Sequence, residues 1–145
     1  MKISTKGRYA LRLMLDIAEH QYDGYISLKD IAERQNISKK YLEQIIPLLN
    51  NSGFLLASRG SQGGYKLSKA PDRYTVADIL KITEGSLSPV ACLDRSPDEC
   101  IRSRSCAVLN VWKGLDKVIN DYLEGITLQD ILDRQKGFCS DDCVI

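Results

Sequence analysis

Apolar residues along the chain recur first with a helical period. Tyr9, Leu11, Leu13, Met14, Ile17 and Ala18 share one side of a helix over about residues 5–20, and Gly24 ends the segment. Ser27-Leu-Lys-Asp30 has the form of a helix start, because the Ser27 hydroxyl can accept a backbone N–H left free at a helix end. A short second helix follows, with Leu28, Ile31 and Ala32 inward, and Asn36-Ile37 makes a turn. Ser38 is the next cap. Tyr41, Leu42, Ile45, Ile46 and Leu49 form the buried stripe of a third helix, which Gly53 closes in a left-handed conformation. Pro47 lacks an N–H, so it predicts a kink or a less cooperative helix there. The period then changes. Residues 54–59 read as a strand, 60–64 as a glycine-rich loop and 65–67 as the returning strand. Two short helices joined by a tight turn and followed by a hairpin make a winged helix-turn-helix. The predicted fold is mainly α with a small β-hairpin wing.

The pattern beyond residue 70 differs. Pro71-Asp72-Arg73-Tyr74 reads as a turn, and Thr75 starts a helix that Gly85 ends. Residues 86–105 show little periodicity and are rich in Ser, Asp and Arg. From Ala107 the helical period returns in Val108, Val111, Trp112, Leu115, Val118, Ile119 and Tyr122. Such a helix has little of its own chain to pack on, so pairing in a homodimer is the economical arrangement, and packing back on its own domain is the other. Thr127 caps a last short helix with Leu128, Ile131 and Leu132 inward. The expected organisation is a DNA-binding unit over 1–70, a linker helix over 71–85, a cysteine loop over 86–106, a dimerisation helix and short terminal helix over 107–135, and a flexible tail over 136–145.

Composition sharpens this picture. The 145 residues are 43% hydrophobic and 27% charged, as in ordinary globular chains. No stretch is long and apolar enough to span a bilayer, and no apolar run follows the N-terminus, so a cytoplasmic protein is expected. The net charge of +1 conceals an asymmetry. Residues 1–70 carry 11 Lys/Arg against 6 Asp/Glu, whereas 71–145 carry 9 against 13. A basic half suggests contact with a polyanion through that half alone. The single His disfavours a His-dependent catalytic triad or a multi-His zinc site, and no other catalytic constellation is present, so an enzyme is not expected.

The outward residues of the third helix are Ser38, Lys39, Lys40, Glu43 and Gln44. Lysines suit phosphates, Gln44 suits adenine, and Glu43 can accept from the cytosine amino group. Taken alone, these residues would equally form a solvated polar face. Between a helix-turn-helix and a wing, base contact in the major groove is the better reading. The glycine-rich loop is a wing or an ordinary hairpin; no Gly-Lys-Ser/Thr follows, which disfavours a nucleotide-phosphate loop.

Five cysteines in a reducing compartment point to metal ligands or reactive thiols before disulfides. Cys92, Cys100 and Cys106 have no CxxC spacing, which disfavours a zinc ribbon. Three thiolates on a polar loop suit an iron–sulfur cluster, of 2Fe–2S or 4Fe–4S type; buried structural cysteines are the alternative. Cys139 and Cys143 lie in the expected loose tail.

Met1-Lys-Ile-Ser-Thr-Lys-Gly-Arg-Tyr9, Ser38-x-x-Tyr-Leu-Glu-Gln44, Arg59-Gly-x-x-Gly-Gly-Tyr65 and the three cysteines before Val111-Trp112 together resemble the bacterial regulators of the IscR, NsrR, RirA and CymR family. The resemblance covers about residues 1–135. It implies a homodimeric winged-helix repressor or activator acting on double-stranded DNA, with a palindromic operator. It implies that Tyr41, Glu43 and Gln44 act in the major groove, and that Arg59, Gly60, Gly63, Gly64 and Tyr65 form the wing near the minor groove. Lys2, in the first motif, joins the candidate DNA contacts. The long helix would dimerise and the cysteine loop would hold a cluster.

The departures bear on the signal. The IscR type adds a His where this chain has Leu109, and the NsrR type uses an acid where this chain has Arg8. The CymR type lacks the three cysteines and works through a partner enzyme of cysteine synthesis. Three ligands therefore carry over and the fourth does not. The competing expectation is a cluster-free regulator of cysteine or sulfur metabolism, using thiol switching or a protein partner. A small redox protein would leave the wing and the basic half unexplained.

Overall fold

Helix α1 spans Thr5–His20 and is the centre of the structure. The coordinates are a computed structural model that describes residues 1–94, 102 and 104–142. Ala10, Leu13, Met14, Ile17 and Ala18 of α1 are buried, as the helical period requires. Around it pack α2 (Leu28–Gln35), α3 (Lys39–Asn51), the second strand of the hairpin, α4 (Val76–Glu84) and α7 (Leu128–Asp142).

Local chemistry sets the element ends. The Ser27 hydroxyl accepts the Asp30 N–H at 3.1 Å, and the Ser38 hydroxyl accepts the Tyr41 N–H at 3.1 Å. Asn36 closes α2 in the left-handed conformation (φ 52°, ψ 47°), which makes the tight turn into α3. Gly53 has φ 75° just past α3. Pro47 sits inside α3 without ending it: the helix runs continuously over Lys39–Asn51. Strands β1 (Leu55–Ser58) and β2 (Gly64–Leu67) pair antiparallel, Leu55 opposite Leu67 and Ser58 opposite Gly64. The mainly α architecture with one hairpin is thus as expected from the pattern.

The C-terminal half shares the same core. Tyr74 is 1% exposed and packs edge-on against Phe54. Its hydroxyl donates to the Phe54 carbonyl at 2.8 Å and accepts the Lys69 N–H at 3.0 Å. The backbone beside it continues the staple, since Leu128 N–H donates to the Tyr74 carbonyl at 3.0 Å. Leu128 and Leu132 belong to the same buried cluster as α1. A short helix, α5 (Ala91–Asp94), interrupts the segment read as a loop, and α6 spans Leu109–Glu124.

The last helix is longer than the expected short one ending near residue 135. Helix α7 continues to Asp142. Its start is capped reciprocally: Thr127 N–H donates to Asp130 at 2.9 Å, and Asp130 N–H donates to the Thr127 hydroxyl at 3.1 Å. Those bonds hold the Asp130 carboxyl below its usual range. Farther along, the Gln129 amide donates to Asp133 at 2.9 Å. The sole interior glycine, Gly137, lowers helix propensity without ending the helix.

One buried charge ties α1 to α2. Asp16 is 1% exposed, and Arg34 grips it with Nη2 at 2.7 Å and Nε at 3.1 Å. The Gln35 amide donates to it at 2.9 Å, and its carboxylate raises the Arg34 guanidinium pKa further above the usual value. Asp16→Ala leaves these donors without their acceptor. We expect a loss of about 1–3 kcal/mol, since Arg34 can partly rehydrate, read as a lower urea midpoint with an unchanged m-value.

Candidate nucleic-acid interface and cysteine segment

The first turns of α3 are open. Ser38, Lys39, Lys40, Glu43 and Gln44 are all exposed, while Leu42, Ile45, Ile46 and Leu49 face the core. Tyr41 behaves differently from its neighbours. It is partly buried, with its ring edge-on to Tyr9 of α1 at 5.3 Å between centroids. The Arg12 guanidinium lies over the same Tyr9 ring and also donates to Gln35 of α2.

The wing divides in the same way. Arg59 and Gly60 are exposed at its tip, and Gly60 takes φ 106°. Gly63 and Gly64 are required by packing: a Cβ on Gly63 would lie 2.3 Å from the Ser58 carbonyl oxygen, and one on Gly64 would lie 2.2 Å from that of Ile26. Tyr65 is partly buried and exchanges two 2.8 Å backbone hydrogen bonds with Ile26. Tyr41, Gly63, Gly64 and Tyr65 thus shape the surface, whereas Lys2, Ser38, Lys39, Lys40, Glu43, Gln44, Arg59 and Gly60 are open on it. Among the described residues, Lys2, Lys39, Lys40 and Arg59 make no ion pair. Their charge is uncompensated, so a polyanion meets it without first breaking a salt bridge.

Two contacts of this region escape the sequence pattern. Asp16 carries a weak signal, an acid on the apolar face of a helix. Glu84 carries none: its carboxylate accepts from the Ser4 backbone N–H and hydroxyl, 80 residues earlier.

Cys92 lies in α5 and is exposed; Cys106 is partly buried three residues before the start of α6. Both are free thiols. Cys100 and Cys143 lie outside the described residues, and Cys139 falls within α7. Among the described residues no group of three or more His, Cys, Asp or Glu converges. Leu109 opens α6 and Arg8 is exposed on α1, and neither side chain can ligate a metal.

On α6 no residue is buried. Val108, Val111, Leu115, Val118 and Tyr122 are exposed, Val118 at 64%. Trp112 and Ile119, on the neighbouring stripe, are partly buried. The exposed set is spaced alternately three and four residues apart, which places it along one stripe of the helix.

These features define a winged helix-turn-helix transcription regulator. The chain belongs to the Rrf2 family, whose model, described as an iron-dependent transcriptional regulator, matches residues 3–134. The HTH-type transcriptional regulator CymR of Bacillus subtilis is 37% identical over 137 residues, covering 94% of each chain. The HTH-type transcriptional regulator IscR of Erwinia tasmaniensis is 36% identical over 136 residues, covering 94% of this chain and 81% of that protein. The solved structure of CymR, the global cysteine regulator of B. subtilis, aligns with a TM-score of 0.76 at 38% identity over 92% of this chain and 98% of that one. The relatives are named as regulators and not as enzymes, in line with the expectation from the sequence. No helix among the described residues is long and apolar enough to cross a membrane.

Proposed function

We propose that this regulator binds a palindromic duplex as a cytoplasmic homodimer and responds to iron, cluster supply or redox state through its cysteine segment. The observation that carries the DNA reading is the exposed set Lys39, Lys40, Glu43 and Gln44 at the open end of α3, whose lysines make no ion pair among the described residues. Lysines there neutralise phosphates, and Glu43 and Gln44 read base edges. Arg59 at the wing tip supplies a second basic contact.

The exposed seam of α6 supports the dimer. An antiparallel or crossed α6 pair would cover Val108, Val111, Leu115, Val118 and Tyr122 at once, with Trp112 and Ile119 at its border. The two-fold axis would set the two α3 helices on successive half-sites.

Cys92, Cys100 and Cys106 are the thiolates offered to an iron–sulfur cluster. The accessibility of Cys92 and the free state of Cys92 and Cys106 fit that donor chemistry. When bound, a cluster supplies an iron- and redox-sensitive crosslink to this segment. With Leu109 and Arg8 in the places named above, the fourth ligand comes from elsewhere. The likeness to a global cysteine regulator favours a second reading, in which the thiols or a protein partner carry the signal without a cluster.

Lys39→Ala or Lys40→Ala should weaken binding to all duplexes and lower the salt slope by about one. Glu43→Ala should instead change which sequences are bound, by about 1–3 kcal/mol at the affected position. Competition binding at several salt concentrations separates the two; equal, sequence-independent losses would contradict these roles.

Burying each seam side chain contributes roughly 1.5–3 kcal/mol to association. Val111→Asp with Leu115→Asp should therefore sediment as a monomer where the parent chain is dimeric. A soluble dimeric double variant would move the interface elsewhere.

Protein purified without oxygen and reconstituted with ferrous iron and sulfide should acquire visible absorbance and bound iron. Alanine at Cys92, Cys100 or Cys106 should abolish both, and the Cys139→Ala, Cys143→Ala double variant should keep them. Full cluster content in all three single variants would leave the cysteine-responsive reading in its place.

A further inference from the structure

We propose that Glu84 is a positioning residue for DNA binding: it holds the N-terminus of α1 so that Tyr9 braces the recognition helix. The proposal rests on the reading that α3 meets DNA.

The first backbone N–H groups of a helix have no partner within it. In α1 the Ser4 hydroxyl accepts the Gly7 N–H at 3.1 Å. The same hydroxyl donates to Glu84 Oε1 at 2.6 Å, and the Ser4 N–H donates to that oxygen at 3.1 Å. One carboxylate oxygen thus fixes the capping residue by its main chain and its side chain together. Its negative charge also sits at the positive end of the α1 dipole.

The fit is close. A Cβ on Gly7 would lie 2.2 Å from Glu84 Oε1, the end of a flexible side chain, so alanine there would push the carboxylate off Ser4 rather than break the helix. Glu84 is the last residue of α4, directly before Gly85 (φ 78°) and the segment that carries the cysteines.

From the capped end, α1 leads to both helices of the helix-turn-helix. Tyr9 meets Tyr41 in the first turn of α3, and Arg12 reaches Gln35 at the end of α2. A shift in the start of α1 therefore moves the brace under Tyr41, and with it the exposed residues on either side.

Simple charge arguments predict the opposite sign for this residue. The chain up to Arg8 contains Lys2, Lys6 and Arg8 and no acid. Removing a nearby carboxylate would, by field alone, strengthen binding to a polyanion. A positioning role predicts that it weakens.

The test uses the full chain and a duplex selected by the parent protein from a random library. Glu84→Ala and Gly7→Ala should each weaken binding roughly fivefold to tenfold, with the salt slope unchanged. Glu84→Gln, which keeps both acceptor contacts, should stay within about twofold of the parent. The Gly7→Ala, Glu84→Ala double variant should be no weaker than either single one, because both remove the same contact. Should Glu84→Ala fail to fold, Gly7→Ala still reports, since alanine favours the helix. Binding by Glu84→Ala that equals or exceeds the parent, or additive losses in the double variant, would overturn the proposal. A parent chain that selects no sequence and binds no duplex would remove the DNA reading, and this proposal with it.

Discussion

Burial of α1 from several sides at once constrains everything else. Leu13, Met14 and Ile17 are fully enclosed, and each such side chain contributes roughly 1.5–3 kcal/mol relative to exposure. The helices of the helix-turn-helix, the wing, the linker helix and α7 are all placed against it. The consequence is that the first seventy residues are not a free-standing head. Tyr74, Ile79, Leu128 and Leu132 complete their core. A change in the C-terminal half therefore acts on the same packed interior that holds the recognition helix.

Within that apolar frame a few polar contacts decide orientation. Asp16 fixes α2 to α1 through Arg34 and Gln35. Tyr74 fixes the base of the wing through Phe54. Glu84 fixes the beginning of α1 through Ser4. Apolar packing is tolerant of small rotations, whereas these hydrogen bonds have direction, and each joins elements far apart in sequence.

That distinction explains how much was legible in the sequence. Ser27, Ser38 and Thr75 announce helix starts because a cap is local, satisfied by an N–H three residues on. The hairpin is legible because Gly60 and the following glycines punctuate a change of period. Family membership is legible because several short motifs coincide. Asp16, Glu84 and the double role of Tyr41 are not, since their partners are brought to them by the fold. The length of α7 is missed for a related reason: the polar run after Leu132 resembles a tail, whereas the backbone continues as one helix from the cap at Thr127. The exposed seam of α6 was legible as apolar spacing, but only the structure separates the bare stripe from the half-covered one carrying Trp112 and Ile119.

Pro47 gives α3 an uneven stiffness. With no N–H at that position, the Glu43 carbonyl goes without its helical donor. The ladder of hydrogen bonds is one rung short between the exposed half and the half anchored by Leu49. Bending there strains fewer bonds than at any other level of the helix. The outer half, with Lys39, Lys40 and Glu43, is therefore held less by the helix ladder than by the buried Leu42 and by the contact of Tyr41 with Tyr9.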